Sequence, residues 1–406
     1  MKYNLLAALL VSTFLTSNAF AAEVDINAKY LNSLSSPKVK WTEAQEGDEG
    51  AIKIGDKYYT YTYTKPTDYT KANEHISYNL SESDVDKVLF EGFTESYGGG
   101  AIRDNSDNSS LDIVADFLYN HASYGGAVRF ENDSKINSIT GDFIKNYVEG
   151  GNVNSGAIIN SGNIEYIKGN FIDNYASGDP FANGGVAGGA IFNNNYINKL
   201  ESNFIGNHTN GNAGVIYNQE GALINDITGN FIANYVDSEA QSSGGAIQNY
   251  GSINNIKGNF IYNYSKSKKQ AAAGAIYNNY TIASITGVFT GNYTESETKA
   301  YGGAIRNWGN IGIINGNFMS NYSKGKELAA SGAIDNVGTI DTITGCFIQN
   351  YAESEKNTQG GSVINWSSSI INNISANFTG NYTKSGNQAV GGAVFNGGTI
   401  NSVTGD

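Results

Sequence analysis

The sequence predicts an all-β chain, wound as a right-handed parallel β-helix of about ten to eleven rungs behind an N-terminal β-rich cap. Three observations carry that expectation. A glycine opens a recurring unit at positions 100, 126, 156, 189, 214, 245, 274, 303, 332, 361 and 392. Four consecutive spacings, from Gly245 to Gly361, are each 29 residues. Such a period marks a solenoid, in which each unit buries its apolar edge only against its neighbours. Finally, 50 glycines and 3 prolines in 406 residues suit tight corners between short strands, not long helices.

The first 21 residues read as a secretory signal. Lys2 supplies the positive start, Leu5 to Leu15 the apolar run, and Ala19-Phe20-Ala21 the small-x-small cleavage pattern. The run is short for a bilayer span, so removal is expected over anchoring. An exported chain with the single cysteine Cys346 has no internal disulfide framework.

Residues 22–96 lack the repeat and hold Pro37 and Pro66. Ile52-Lys53-Ile54 and Tyr58 to Tyr63 alternate as strands do. An open first coil would expose apolar side chains and unpaired backbone, so this region is expected to cap the solenoid.

Residues 97–406 are the repeat domain, and they end in mid-repeat at Gly405-Asp406. The unit reads cleanest at Gly303 to Tyr322. Side chains at i and i+2 of a strand share a face, which places Ile305 with Asn307, and Ile314 with Gly316 and Phe318. Ile311 and Ile314 are three apart, as are Phe318 and Asn321, so a corner is expected at each slip. The phenylalanine slot runs from Phe117 to Phe378, with a small residue two positions earlier to let the rings stack. The asparagine slot runs from Asn120 to Asn381. Asparagine tolerates a left-handed corner and can bond from rung to rung. The stretches Ser265 to Ala273, Thr294 to Tyr301 and Ser323 to Ser331 are polar and variable. An extended 29-residue unit would measure roughly 95 Å, so they are expected to bulge outward as loops.

Gly-Gly-Ala-Ile, at Gly244 to Ile247 and Gly302 to Ile305, alternates with Phe-x-x-Asn, at Phe318 to Asn321. Recurring together over residues 97–406, these motifs resemble the repeats of the polymorphic outer-membrane proteins of the autotransporter group. The resemblance implies a type V secreted passenger, exported across the periplasm through a C-terminal outer-membrane barrel and often adhesive. The partners it implies are that translocator barrel and a host-surface protein or glycan. Gly214-Val215-Ile216 and Gly361-Ser362-Val363 depart from the first motif, and no barrel segment follows within the sequence.

No catalytic, cofactor or metal constellation emerges. A β-helix can host polysaccharide lyases or hydrolases, and a carbohydrate-active enzyme is the alternative reading. Such sites need carboxylates clustered on one face. Here Asp237 and Glu239, Glu295 and Glu297, and Glu353 and Glu355 fall in the variable stretches as solvated charges. His121 and His208 occupy a slot held elsewhere by tyrosine, and neither has a ligand-spaced partner. Cys346 lies on the outward phase with nothing basic beside it. With a formal net charge of −13 and no basic stripe, nucleic acid is not an expected partner.

The candidate ligand-contact row is Tyr235, Tyr264, Tyr293, Tyr322, Tyr351 and Tyr382, which recur just past the corner after Tyr147 and Tyr175. Stacked rings can grip sugars or a partner protein, or simply pack along the corner. Asn263-Tyr264-Ser265 and Asn292-Tyr293-Thr294 match the N-glycosylation pattern as a by-product of the repeat.

Overall fold

The computed structural model describes residues 26–405 apart from 78–79, 107–110 and 182–184, so the expected signal at 1–21 lies outside it. A parallel β-solenoid of about eleven turns dominates the chain. One representative coil contains four strands: Thr281–Thr290, Tyr293–Ser296, Lys299–Tyr301 and Ile305–Asn307. Each pairs with its counterpart one unit later, as in Phe289↔Phe318, Tyr293↔Tyr322, Ala300↔Ala329 and Ile305↔Ile334. The resulting sheets contain 13, 11, 6 and 12 strands respectively. The third side begins earlier, as Val153–Asn154 paired with Val186–Ala187, and reaches the six-stranded sheet through bridges at Asn212.

Two expectations are corrected here. The polar stretches at 265–273, 294–301 and 323–331 are not outward loops, because strands of the second and third sheets run through them. The length of the unit is taken up by four sides and their corners. The phase slip between Ile311 and Ile314 is also not a corner. Both lie in one continuous strand, Asn310–Met319, in which Gly312 drops out of the pairing register and both isoleucines stay buried.

The interior is a set of columns. Phenylalanine rings stack without a break from Phe90 to Phe378, with centroids 4.6–5.3 Å apart. At the corner after each ring the left-handed residue is the one before the asparagine, as in Ser320 (φ 54°) and Tyr262 (φ 54°). The asparagine is therefore not the left-handed residue. Its work is hydrogen bonding. Asn292 Oδ1 accepts both the backbone N–H of Asn263 at 3.0 Å and its Nδ2 at 2.9 Å. The same Nδ2 donates to the carbonyl of Phe231 at 2.8 Å. A second ladder, formed by the asparagine of each Ile/Val-x-Asn strand, runs from Asn160 to Asn396 and is buried as far as Asn365.

The repeat-opening glycine is fixed by close backbone approach. A Cβ on Gly303 would lie 2.1 Å from the carbonyl oxygen of Gly332. The small slot before phenylalanine has a related cause: a Cβ on Gly169 would lie 1.7 Å from the Gly141 carbonyl oxygen. At the glycines of this slot a side chain would meet neighbouring backbone, more than the ring stack, while Ser202 and Ala376 fill the position in other rungs.

The described residues of 26–96 divide between two places. Strands Thr70–Lys71, Ile76–Ser77, Asp86–Glu91 and Thr94–Glu95 already belong to the solenoid sheets, as an irregular first coil. Helix α1, Ala28–Leu34, and an antiparallel sheet of Val39–Ala44, Lys57–Tyr63 and Ile52–Ile54 lie along the flank instead. Leu31, Trp41, Ile54 and Tyr59 bury against Leu118, Ile144, Ile172, Ile205, Ile232 and Ile261. Those residues directly follow the phenylalanines, so they point to the opposite face of the long sheet and need cover. Polar contacts pin the flank piece in place. Lys38 Nζ lies 2.5 Å from Asp116 and 3.3 Å from Asp142, and Tyr63 donates to Asp116 at 2.6 Å.

Two outcomes are expected. Asn263→Ala removes the acceptor for two donors of Asn234 and should lower unfolding free energy by roughly 2–4 kcal/mol. Exposed Asn254→Ala should change it by less than about 0.5 kcal/mol; equal effects in urea unfolding would contradict the ladder's role. A chain lacking residues 26–63 should keep its β-sheet circular dichroism while binding an apolar dye at the uncovered isoleucine column; unchanged dye binding would show that the column needs no cover.

Candidate functional site

The second sheet forms the most ordered exposed face. Its rings stack from His121 through Tyr147, Tyr175, His208 and on to Tyr382, with centroids 4.5–5.2 Å apart. All six residues of the candidate row stand in this column. Tyr235, Tyr264, Tyr293, Tyr322 and Tyr351 are half-buried because each ring covers the next, and Tyr382 is 45% exposed. Burial pushes the Tyr351 phenol up to about 12 and raises Tyr235, Tyr264, Tyr293 and Tyr322 likewise. These five phenols are therefore uncharged at neutral pH. Lysines lie over it: Lys266 Nζ is 5.3 Å from the Tyr264 ring centre, and Lys324 Nζ is 5.0 Å from that of Tyr322.

Beside the rings runs a pattern that unit-by-unit reading misses. One column reads Asp237, Lys266, Glu295, Lys324, Glu353 and Lys384 in consecutive pairing register. Two residues further on, Glu239, Lys268, Glu297, Lys326 and Glu355 alternate in the same way. The acidic residues read as scattered loop charges are thus every second step of two alternating columns lining an open trough. Contacts between steps include Lys266–Glu295 at 3.1 Å and Lys384–Glu353 at 2.7 Å. Each such exposed pair contributes about 0–1 kcal/mol, so the pattern neutralises the face more than it stabilises the fold.

No protein-family model, curated protein or solved structure matches the chain. The chemistry is read from the residues themselves.

His121 and His208 are members of the ring column, stacked on Tyr147 and on Tyr175 and Tyr235, and burial lowers the pKa of His208. Among the described residues no group of three or more His, Cys, Asp or Glu is placed to hold a metal ion. Cys346 stands in an outward column between Asn317 and Asn377, and its N–H donates to Asn317 Oδ1 at 3.2 Å. The sequon asparagines Asn263 and Asn292 are buried ladder residues, closed to modification in the folded chain.

A second polar cluster lies where the third and fourth sides meet. Arg103, Arg129 and Arg306 all occupy the middle position of an Ile/Val-x-x strand of the fourth sheet. Arg103 and Arg129 both reach Glu131, at 3.1 Å and 3.0 Å. Arg306 is different. It is 5% exposed, and its guanidinium centre lies 3.9 Å from the Tyr301 ring centre and 5.2 Å from that of Trp308. Its nearest carboxylate oxygen, Asp335 Oδ1, is 3.9 Å away, beyond hydrogen-bond reach. Nε and Nη1 of Arg306 and Oδ2 of the fully buried Asp335 have no hydrogen-bond partner, while Trp366 Nε1 donates to Asp335 Oδ1 at 3.1 Å. Each unmatched buried group costs about 1–3 kcal/mol.

Burial pushes the Asp335 carboxyl up to about 6, against the opposing pull of Arg306 and Trp366. A carboxyl raised in the folded state stabilises the fold fully below its unfolded value of about 3.9, and that contribution is lost as pH rises through 6. Between pH 4 and 7.5, denaturant unfolding should therefore show wild type losing up to roughly 3 kcal/mol relative to Asp335→Asn. A pH-independent difference would show that Asp335 titrates normally.

Proposed function

We propose that this chain is a non-enzymatic passenger, exported to the cell surface or beyond, whose solenoid flank adheres to a host or environmental protein or glycan. One observation carries the reading. From Tyr235 to Tyr382 the second sheet presents a regular array of ring edges, lysine heads and carboxylates. Such an array offers many equivalent contacts of modest strength, which suits multivalent attachment to an extended surface. Export rests on the N-terminal signal pattern, and the route on the resemblance of Gly-Gly-Ala-Ile and Phe-x-x-Asn to type V passengers, delivered through an outer-membrane barrel.

Beads coated with the purified chain should bind cultured epithelial cells. Replacing Lys266, Glu295, Lys324 and Glu353 together by serine should reduce attachment several-fold with unchanged circular dichroism. Attachment unaffected by those changes would remove this face from the function. Release of reducing ends or unsaturated products from polysaccharides would replace adhesion with catalysis.

A further inference from the structure

We infer that Lys38 and Asp116 condense into an intramolecular amide, with Asp142 carrying the proton, so that the flank piece becomes covalently joined to the solenoid. The placement of these three groups carries the inference. Lys38 pairs with two sealed carboxylates, the side chains of Asp116 and Asp142 being 0% and 2% exposed. Among the described residues, every other lysine in an ion pair meets a carboxylate that is at least 19% exposed. Lys38 Nζ lies 2.5 Å from Asp116 Oδ1 and 3.3 Å from Asp142 Oδ2. One nitrogen thus touches both the carboxyl it would attack and a second carboxylate able to take its proton.

The fold holds the reactants in place. The Lys38 carbonyl accepts the Thr64 N–H at 2.8 Å, which fixes the lysine where helix α1 leads into the small sheet. Asp116 Oδ1 accepts the backbone N–H of Asp142 at 2.8 Å, and Oδ2 accepts the Tyr63 hydroxyl at 2.6 Å. Both donors draw charge from the carboxyl carbon. Burial lowers the Lys38 pKa, but Asp142 and Asp116 outweigh it, so the resting nitrogen is an ammonium ion and the bond forms slowly. Burial raises the Asp116 carboxyl against the pull of Lys38. In water, hydration favours the separated ions over the amide. Folding has already stripped that hydration here, and a neutral amide costs less to bury than two ions. Groups held in contact also react with effective molarities of about 10⁵–10⁸ M.

The protons balance. Lys38 Nζ passes one proton to the Asp142 carboxylate and, now neutral, attacks Cγ of Asp116. The Nζ–Cγ bond forms and one Cγ–O bond breaks. The departing oxygen takes the proton held by Asp142 and a second from Nζ, and leaves as water past the partly exposed lysine stem. Three ammonium protons end as one amide N–H and one water molecule. Asp142 returns to its carboxylate form, still accepting from Ser36 Oγ at 2.5 Å and from Asn170 Nδ2 at 2.8 Å.

The test is intact-mass spectrometry of the folded full chain, followed by denaturation and peptide mapping. After prolonged incubation at neutral pH most molecules should be lighter by one water, with residues 38 and 116 in a single branched peptide. Lys38→Arg keeps the ion pair and should show no loss of mass. Asp142→Asn installs the residue that holds this column at Asn170 and Asn203, so it should fold yet form the bond at least about tenfold more slowly. Wild-type protein that is folded by circular dichroism but keeps its full mass overturns the assignment. Bond formation at an unchanged rate in Asp142→Asn overturns the role of Asp142.

Discussion

A coil laid on a coil has to turn its corners in the same place each time, because the backbone groups at a buried corner find no water to bond. Here the buried asparagine ladder meets that demand. Asn321 donates to Asn350 and to the carbonyl of Phe289, while its own carbonyl oxygen serves Asn292 twice. Each amide thus joins three rungs, and the preceding residue supplies the left-handed turn. Leaving one such group unmatched costs about 1–3 kcal/mol, as much as a sizeable apolar contact, so the corner is as well determined as the core. The ring columns, the repeat-opening glycines and the exposed charge columns all inherit their alignment from it.

The long sheet is apolar on both faces over the first two-thirds of the rod, and this decides where the N-terminal segment goes. Phe-Ile at 143–144, 171–172, 204–205, 231–232 and 260–261 sends one side chain inward and the next outward. The outward column reads Thr290 and Met319 in the next two rungs, where the flank piece has ended. The helix and small sheet have their own buried Trp41 and Tyr59, and these share one apolar cluster with the outward column of the solenoid. Two apolar surfaces, each incomplete alone, close one another.

Much of this was legible in the residues. The phenylalanine, asparagine and glycine slots name three of the columns, and the strands at Ile52 and Tyr58 appear where alternation placed them. Other parts were hidden for physical reasons. The third side is built from small and polar residues such as Gln270-Ala271-Ala272 and Lys299-Ala300-Tyr301, whose likeness lies in backbone pairing. The flank packing is invisible to periodicity because it joins segments distant in sequence, although the Phe-Ile doublet announced a second apolar face. The Arg306 cluster depends on Tyr301, Asp335 and Trp366 from neighbouring rungs, which no single unit contains.

The two charge columns have a consequence for how the rod can be assembled. Uniform rungs are interchangeable, and a chain pairing one unit out of step would lose only an end. Inverting the sign at every step removes that freedom: a displacement by one sets Lys266 beside Lys324 and Glu295 beside Glu353, and like charges directly opposed disfavour the pairing. A displacement by two restores attraction. This side of the molecule therefore keeps parity, and tolerates lengthening or shortening in pairs of units more readily than by one.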